Sequence, residues 1–287
     1  MVRSVVVAGM LLATGLVVSC GDTEELTLRV AGIPDQSATS LARRYETLTS
    51  YLGEQLGVEV EYVPTVDYAA TVIAFEQGTV HLAWFGGLSG VMARLRSPGS
   101  TAIAQRQRDA EFQSVFIVGR GVEAEGLADL AGVTFTFGSE LSTSGHLMPR
   151  HFLQDAGVEP DEDLAGPPNY SGSHDRTWKV VESGAFQAGA LSEAVWEAAV
   201  GAGRVDLSKV RVLTVSPPYP DYNWTIQGDI DERFGEGFSD RVTDVLLGID
   251  GGTPEILDLF STIGFIRTKN ANYRAIEEAA ERAGIIE

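Results

Sequence analysis

The sequence predicts an α/β chain of two lobes, each a mostly parallel sheet flanked by helices. Three observations predict it. Strand and helix signals alternate through most of the chain, the pattern that produces parallel strands with helical crossovers. Once an export signal is set aside, roughly 265 residues remain, more than one hydrophobic core usually serves. Two segments also read as crossings between lobes: the apolar strand around Val115–Val118, and Pro217-Pro218-Tyr219-Pro220 ahead of a strand at 223–227.

The elements follow in order. Residues 26–31 alternate and are β-rich, and residues 39–56 carry helical spacing that stops at Gly57. Residues 58–63 read as a strand, 68–77 as a helix ended by Gly78, and 80–84 as a strand. Gly86-Gly87 then opens a helix through Arg94. Residues 114–118 form an apolar strand, 127–130 a short helix and 133–138 a strand. A helix opened by residues 142–146 runs to Asp155-Ala156-Gly157. Helices at 173–182 and 192–200 bracket a strand at 188–191, and 210–215 is a further strand. From Asp231 the tail is helical in several pieces. Two crossings make the first lobe discontinuous, 26–117 with 222–287, around a second lobe of 118–221. Ligands in such folds sit at the carboxyl ends of strands, here facing one another across a cleft.

The N-terminus reads as an export signal. Arg3 precedes an almost wholly apolar run at 5–18, too short for a comfortable membrane span, and polar residues follow Cys20 at once. Cys20 is the only cysteine, so it has no internal disulfide partner. Small and apolar residues before it fit a lipoprotein processing site, with residues 1–20 as signal and Cys20 lipidated; a plain secretory signal with an incidental cysteine is the alternative. The net charge of −19 argues against nucleic acid or an anionic lipid surface as partner. An anionic ligand would then have to be held by local dipoles in a desolvated cleft.

Ser142-Thr143-Ser144-Gly145-His146 offers such dipoles. It follows a short strand and opens a helix, whose first N–H groups lack internal partners and sit at the positive end of the helix dipole. Small hydroxyl residues and a glycine let an anion approach that backbone. A simple N-cap at Ser144 is the plainer reading. The four histidines, His81, His146, His151 and His174, show no metal-binding spacing, and no cofactor motif appears. Ser, His and Asp all occur near the expected cleft, but there is no Gly-x-Ser-x-Gly elbow, which disfavours a hydrolase and leaves no catalytic residue to name.

Several motifs, in order, resemble one family: Asp67-Tyr68-Ala69, Ala83-Trp84-Phe85-Gly86-Gly87-Leu88-Ser89, Ser142-Thr143-Ser144-Gly145 with Pro149, Gly172-Ser173-His174, Ser192-Glu193 and Ser216-Pro217 to Asp221. The set is similar to the substrate-binding proteins of phosphonate, phosphite and phosphate ABC importers and covers nearly the whole mature chain. The resemblance implies a type II periplasmic-binding-protein fold that closes over a small oxyanion, works as a monomer with a permease and an ATPase, and is exported and lipid-anchored. It puts Ser142, Thr143 and Ser144 on the ligand oxygens, Tyr68 opposite as a phenol donor, His174 as a further donor, and Glu193 and Asp221 as acceptors. Phe85 stands where phosphonate binders of this type tend to carry tyrosine, which predicts a smaller or less polar ligand. Other stretches, including residues 144–150 and 217–224, look like a subgroup named for selenate binding.

The acidic positions decide between ligands. A carboxylate about 4 Å from an anion costs roughly 4 kcal/mol per unit-charge pair at an effective dielectric near 20. The penalty disappears only where the ligand carries an O–H for the carboxylate to accept. Phosphite, phosphonates and hydrogen phosphate can carry that proton near neutrality; sulfate and selenate cannot, while selenite and arsenite remain alternatives. The plainer readings are that Glu193 only starts its helix and that Asp221 is a turn residue after proline. His174 has a plainer reading too, as a capping residue. An identical fold and site would serve a membrane sensor kinase in place of an importer.

Overall fold

The computed structural model describes residues 26–286. Residues 1–20, expected to form an export signal ending at Cys20, lie outside the described residues. The chain runs β1 (Thr27–Gly32), α1 (Ala38–Leu56), β2 (Glu59–Tyr62), α2 (Tyr68–Glu76), β3 (Leu82–Phe85), α3 (Gly87–Arg96) and β4 (Thr101–Arg106). A 3₁₀ turn, Gln107–Glu111, leads to β5 (Ser114–Gly119). After a second 3₁₀ turn at Leu127–Leu130 come β6 (Phe135–Phe137), a π-helical turn (Thr143–Leu147), α4 (Met148–Asp155), β7 (Asn169–Tyr170), α5 (His174–Glu182), β8 (Ala188–Ser192), α6 (Glu193–Gly201) and β9 (Val210–Val215). The return crossing, 216–222, feeds β10 (Asn223–Ile226), α7 (Ile230–Phe234), α8 (Phe238–Leu247), α9 (Pro254–Phe260), β11 (Phe265–Arg267) and α10 (Arg274–Arg282).

These strands make two sheets, one of six strands in the order β11-β4-β10-β3-β1-β2 and one of five in the order β7-β6-β8-β5-β9. The sheets are mixed where parallel pairing was expected to dominate. Strands β2, β1 and β3 pair in parallel, but β10 inserts antiparallel between β3 and β4, and β11 closes the edge antiparallel to β4. In the second sheet β5 is antiparallel to both its neighbours. The reason is connectivity: β5 and β10 are the strands that directly follow the two crossings, and each enters its sheet from the opposite end. All of β5, including 114–117, lies in the second sheet. Strands β4, β7 and β11 are additions to the sequence reading, which had none of them.

Local signals explain the elements that aim the site. Ser37 caps α1, its hydroxyl accepting from the Ser40 amide at 3.3 Å, and Gly57 ends the helix in a left-handed conformation (φ 70°) that suits glycine. Asp67 caps α2 at 2.7 Å from the Ala70 amide, which fixes Tyr68 as the first helical residue. Strand β3 is buried along its whole length, as expected when helices cover both faces. Its alternation sends Trp84 to a cluster with Trp224, Phe260 and Phe265, and Phe85 to the other side against Phe75. Trp84 and Trp224 are therefore core residues, as are Trp178 and Trp196 in the second lobe.

The two crossing segments run side by side. Phe112 and Tyr219 exchange backbone hydrogen bonds of 2.8 and 2.9 Å, and the Asp221 amide donates to the Asp109 carbonyl at 2.9 Å. Arg106, buried at the start of the first crossing, makes a two-pronged pair with Asp109 (2.7 and 2.6 Å), donates to the Phe260 carbonyl at 2.9 Å and lies over the Tyr222 ring. The guanidinium is thus engaged by the first crossing through Asp109 and by the end of α9 through Phe260, a structural role that ties the crossing to the first lobe.

Candidate functional site

The serine loop is a tight, fully buried turn. After β6 the chain doubles back so closely that the Gly138 amide donates to the Gly145 carbonyl at 2.8 Å. A side chain at Gly138 would crowd the Gly145 backbone at 3.2 Å, so glycine there eases the close approach. Ser142 caps the turn, its hydroxyl accepting from the Gly145 amide at 2.9 Å. The first turn is wider than α: the Leu147 amide reaches the Ser142 carbonyl at 3.0 Å and the Met148 amide reaches the Thr143 carbonyl. The expected helix from 142 to 157 is thus a π turn followed by α4. Ser142, Thr143 and Ser144 are all buried.

The first lobe and the return crossing bring polar groups to this loop. The Tyr68 hydroxyl is buried and, among the described residues, has no partner at full hydrogen-bond geometry. It lies beside Ser142, and burial pushes its phenol well above the usual range, with Asp35 and Asp221 pushing the same way. Asp221 accepts from the Gly87 amide at 2.8 Å through one carboxylate oxygen, while its other oxygen is buried with no partner at full hydrogen-bond geometry among the described residues. Thr143 and Ser144 present their hydroxyls to that carboxyl. Burial raises the Asp221 carboxyl to about 7, against the opposing pull of the Gly87 amide and the two hydroxyls. Thr143 also bridges to the first lobe, accepting from the Leu88 amide at 2.9 Å. The start of α3 therefore points at the serine loop across the lobe interface. A side chain at Gly86 would stand 3.2 Å from the Asp221 carboxyl and 3.3 Å from the Thr143 hydroxyl, so this approach also depends on glycine.

Phenol, three hydroxyls, helix-start amides and a carboxyl raised to about 7 make a buried, donor-rich cluster. Such a set can bind a small oxyanion that brings one proton of its own. Residues 30–273 match the family model described as ABC transporter, phosphonate, periplasmic substrate-binding protein. The chain belongs to that family. The probable ABC transporter phosphite binding protein PhnD1 of Prochlorococcus marinus (strain MIT 9301) is 43% identical over 264 residues, covering 89% of each chain. The solved structure of PhnD1 in complex with methylphosphonate superposes with a TM-score of 0.87, covering 91% of this chain and 99% of that one. The phosphate-import protein PhnD of Mycolicibacterium smegmatis is 32% identical over 173 residues, 57% of this chain and 54% of that one. The members of this family are substrate-binding proteins of transporters and not enzymes, which removes the hydrolase reading.

Within this family member, Tyr68, Ser142, Thr143, Ser144 and Asp221 come together, and three other candidates do not join them in the expected way. His174 was expected to donate to the ligand. Both its ring nitrogens are instead engaged inside the protein. Nδ1 accepts from the Ser192 amide at 3.2 Å, so in the neutral ring Nε2 carries the proton and meets the Tyr222 hydroxyl at 3.2 Å. Tyr222 in turn donates to Asp35 at 3.1 Å. Burial holds His174 down to about 4, so the ring stays neutral at ordinary pH. His174 ties the second lobe to the first, and only its Cε1 edge borders the serine loop at Gly145. Glu193 is half-buried at the start of α6 and lines a different, open cavity with Arg108, Glu111 and Ile263. Its carboxylate makes no hydrogen bond to the serine loop among the described residues. Phe85 is core, packed edge-on against Phe75. His146 donates to the Glu140 carbonyl and accepts from Arg150 and Tyr170, a structural role.

Sequence reasoning missed Asp35 and Tyr222, which complete the lobe-to-lobe link, and the Gly87 and Leu88 amides, which hold Asp221 and Thr143. The Gly86-Gly87 pair was the available signal for the amides, since two glycines at a helix start allow close backbone approach. Nothing in the sequence pairs Asp35 with Tyr222, 187 residues away.

Proposed function

We propose that this chain is the exported solute receptor of an ABC importer for a small phosphorus oxyanion, phosphite or a short phosphonate. The oxyanion is held between a first lobe built on 26–106 and 223–286 and a second built on 114–215, by closure about the crossings 107–113 and 216–222. One observation carries the reading: a buried, unpaired phenol and a buried carboxyl with one unpaired oxygen face the Ser142–Ser144 loop from the other side of the interface. The site residues are Tyr68, Ser142, Thr143, Ser144 and Asp221. Cys20 is proposed as the lipid-anchored N-terminus, and a permease with its ATPase as the partners of the closed monomer. The reading also draws on the phosphite and methylphosphonate in the names of the PhnD1 protein and its complex.

Charge chooses among oxyanions. Among the described residues no lysine or arginine joins the cluster, so the ligand's charge is met by amides and hydroxyls, and Asp221 demands a shared proton. Isothermal calorimetry at pH 7 with phosphite, methylphosphonate, phosphate, selenite, arsenite, sulfate and selenate tests this. The expected result is binding of phosphite or methylphosphonate at least a hundredfold tighter than of sulfate or selenate, about the ratio an unrelieved carboxylate–anion contact of a few kcal/mol would impose. Equal or tighter binding of selenate would overturn it.

A further inference from the structure

The serine loop hangs from the second crossing by a hydroxyl relay that starts with a proline. In the π turn a carbonyl is met by the amide five residues on, and in α4 by the amide four residues on. For Ser144 in the first pattern and Gly145 in the second, that residue is Pro149, which has no N–H. Each freed carbonyl takes a donor from a strand end. Gly145 receives the Gly138 amide at 2.8 Å, and Ser144 receives the Ser114 hydroxyl at 2.8 Å. Since Ser114 donates to a carbonyl, its oxygen accepts from the Tyr219 hydroxyl, 2.5 Å away. All three residues of the relay are buried.

Ser114 and Tyr219 sit where the lobes connect. Ser114 is the first residue of β5, directly after the first crossing, and its amide donates to the Ser216 hydroxyl at 2.9 Å at the start of the second. Tyr219 is the residue that pairs with Phe112 across the two crossings. The Ser144–Gly145 peptide is thus clamped at both ends, its carbonyl by Ser114 and its N–H by Ser142.

We propose that Ser114, backed by Tyr219, is a positioning residue that couples the crossing segments to the serine loop, and that Pro149 is there to leave the Ser144 carbonyl free for it. This rests on the oxyanion reading of the loop, but the relay makes a claim about the unliganded protein as well. Neither Ser114 nor Tyr219 touches the ligand in this account. They set the orientation of the loop that does, and they link that orientation to the angle between the lobes.

The test compares Ser114→Ala, Tyr219→Phe and their combination, with melting curves to establish folding. Two readouts are taken: affinity for methylphosphonate and phosphite, and amide hydrogen exchange of residues 142–147 without ligand. Loss of one buried hydrogen bond predicts an affinity about fivefold to tenfold weaker in Ser114→Ala, and loop exchange faster by a similar factor. Tyr219 also lies within reach of the Ser144 hydroxyl, so Tyr219→Phe carries that direct effect as well; the part that runs through Ser114 should make the double variant's loss smaller than the product of the two single losses. Pro149→Ala, which returns a competing N–H, should also speed loop exchange. Unaltered affinity and exchange in both single variants, or losses that multiply in the double, would overturn the relay. If the wild type binds none of the anions, the oxyanion reading fails; the exchange data still decide the relay, faster exchange supporting it and unaltered exchange ending it.

Discussion

Replacing Thr143 and Ser144 together with alanine is expected to weaken methylphosphonate or phosphite binding at least tenfold, and by roughly a hundredfold if both hydroxyls meet ligand oxygens. Each hydrogen bond to a charged group contributes about 1.5–3 kcal/mol, and two lost at the lower figure give about 3 kcal/mol. Thr143 adds a second effect, since its hydroxyl also takes the Leu88 amide from the first lobe. Without it, that amide is buried and unmet until ligand or water reaches it. Calorimetry on the purified double variant checks the magnitude, and its melting temperature separates a binding defect from a folding defect. A folded double variant with wild-type affinity would remove the serine loop from the site.

Asp221→Asn is expected to change which anions bind and how binding depends on pH. With its carboxyl raised to about 7, wild-type Asp221 would in this account share one proton with a bound oxyanion near neutrality, whichever partner supplies it. Once both are deprotonated the proton is gone, so affinity should fall about tenfold per pH unit above that point. Asparagine keeps an acceptor for the Gly87 amide and offers a permanent N–H to the anion. The variant should lose the alkaline fall and bind sulfate at least tenfold better relative to phosphite. Stability gives an independent sign. A carboxyl whose folded value lies above its unfolded value of about 3.9 favours folding in its neutral form. That contribution is fully present below the unfolded value and is lost as pH rises through about 7. Unliganded Asp221→Asn should therefore match the wild type in melting temperature near pH 4 and exceed it at pH 8. Parallel curves for the two proteins over this range would show that Asp221 is not held in its neutral form.

The sequence made most of the first lobe readable because its helices carry their own punctuation. Ser37, Asp67 and Gly57 mark ends by backbone geometry, and the apolar run of β3 marks a strand covered on both faces. Strand β4 escaped because Thr-Ala-Ile-Ala-Gln-Arg has little of the β-branched and aromatic content that signals a strand, and β11 is only three residues long. The direction of β5 and β10 is set by where the crossings deliver them, which no local pattern records. At the site, small hydroxyl residues after a strand were enough to find the loop, because helix-start chemistry is local. The π turn was not, although Pro149, just after it at the start of α4, was a visible sign. His174 was misread because its partners arrive from afar: Tyr222 is 48 residues on, and Asp35 meets it both through that tyrosine and by accepting the His174 amide at 3.1 Å. A histidine at a helix start looks alike whether its nitrogens face a ligand or another lobe.

A crystal structure of the protein grown with methylphosphonate or phosphite tests the central claim most directly. The account predicts the phosphorus group against the Ser142–Ser144 turn, its oxygens within hydrogen-bond distance of those hydroxyls and amides and of Tyr68, and one oxygen sharing a proton with the free oxygen of Asp221. An anion seated elsewhere, or a serine turn that keeps its hydroxyls on Asp221 and Leu88 while the ligand binds at the Glu193 cavity, would contradict it.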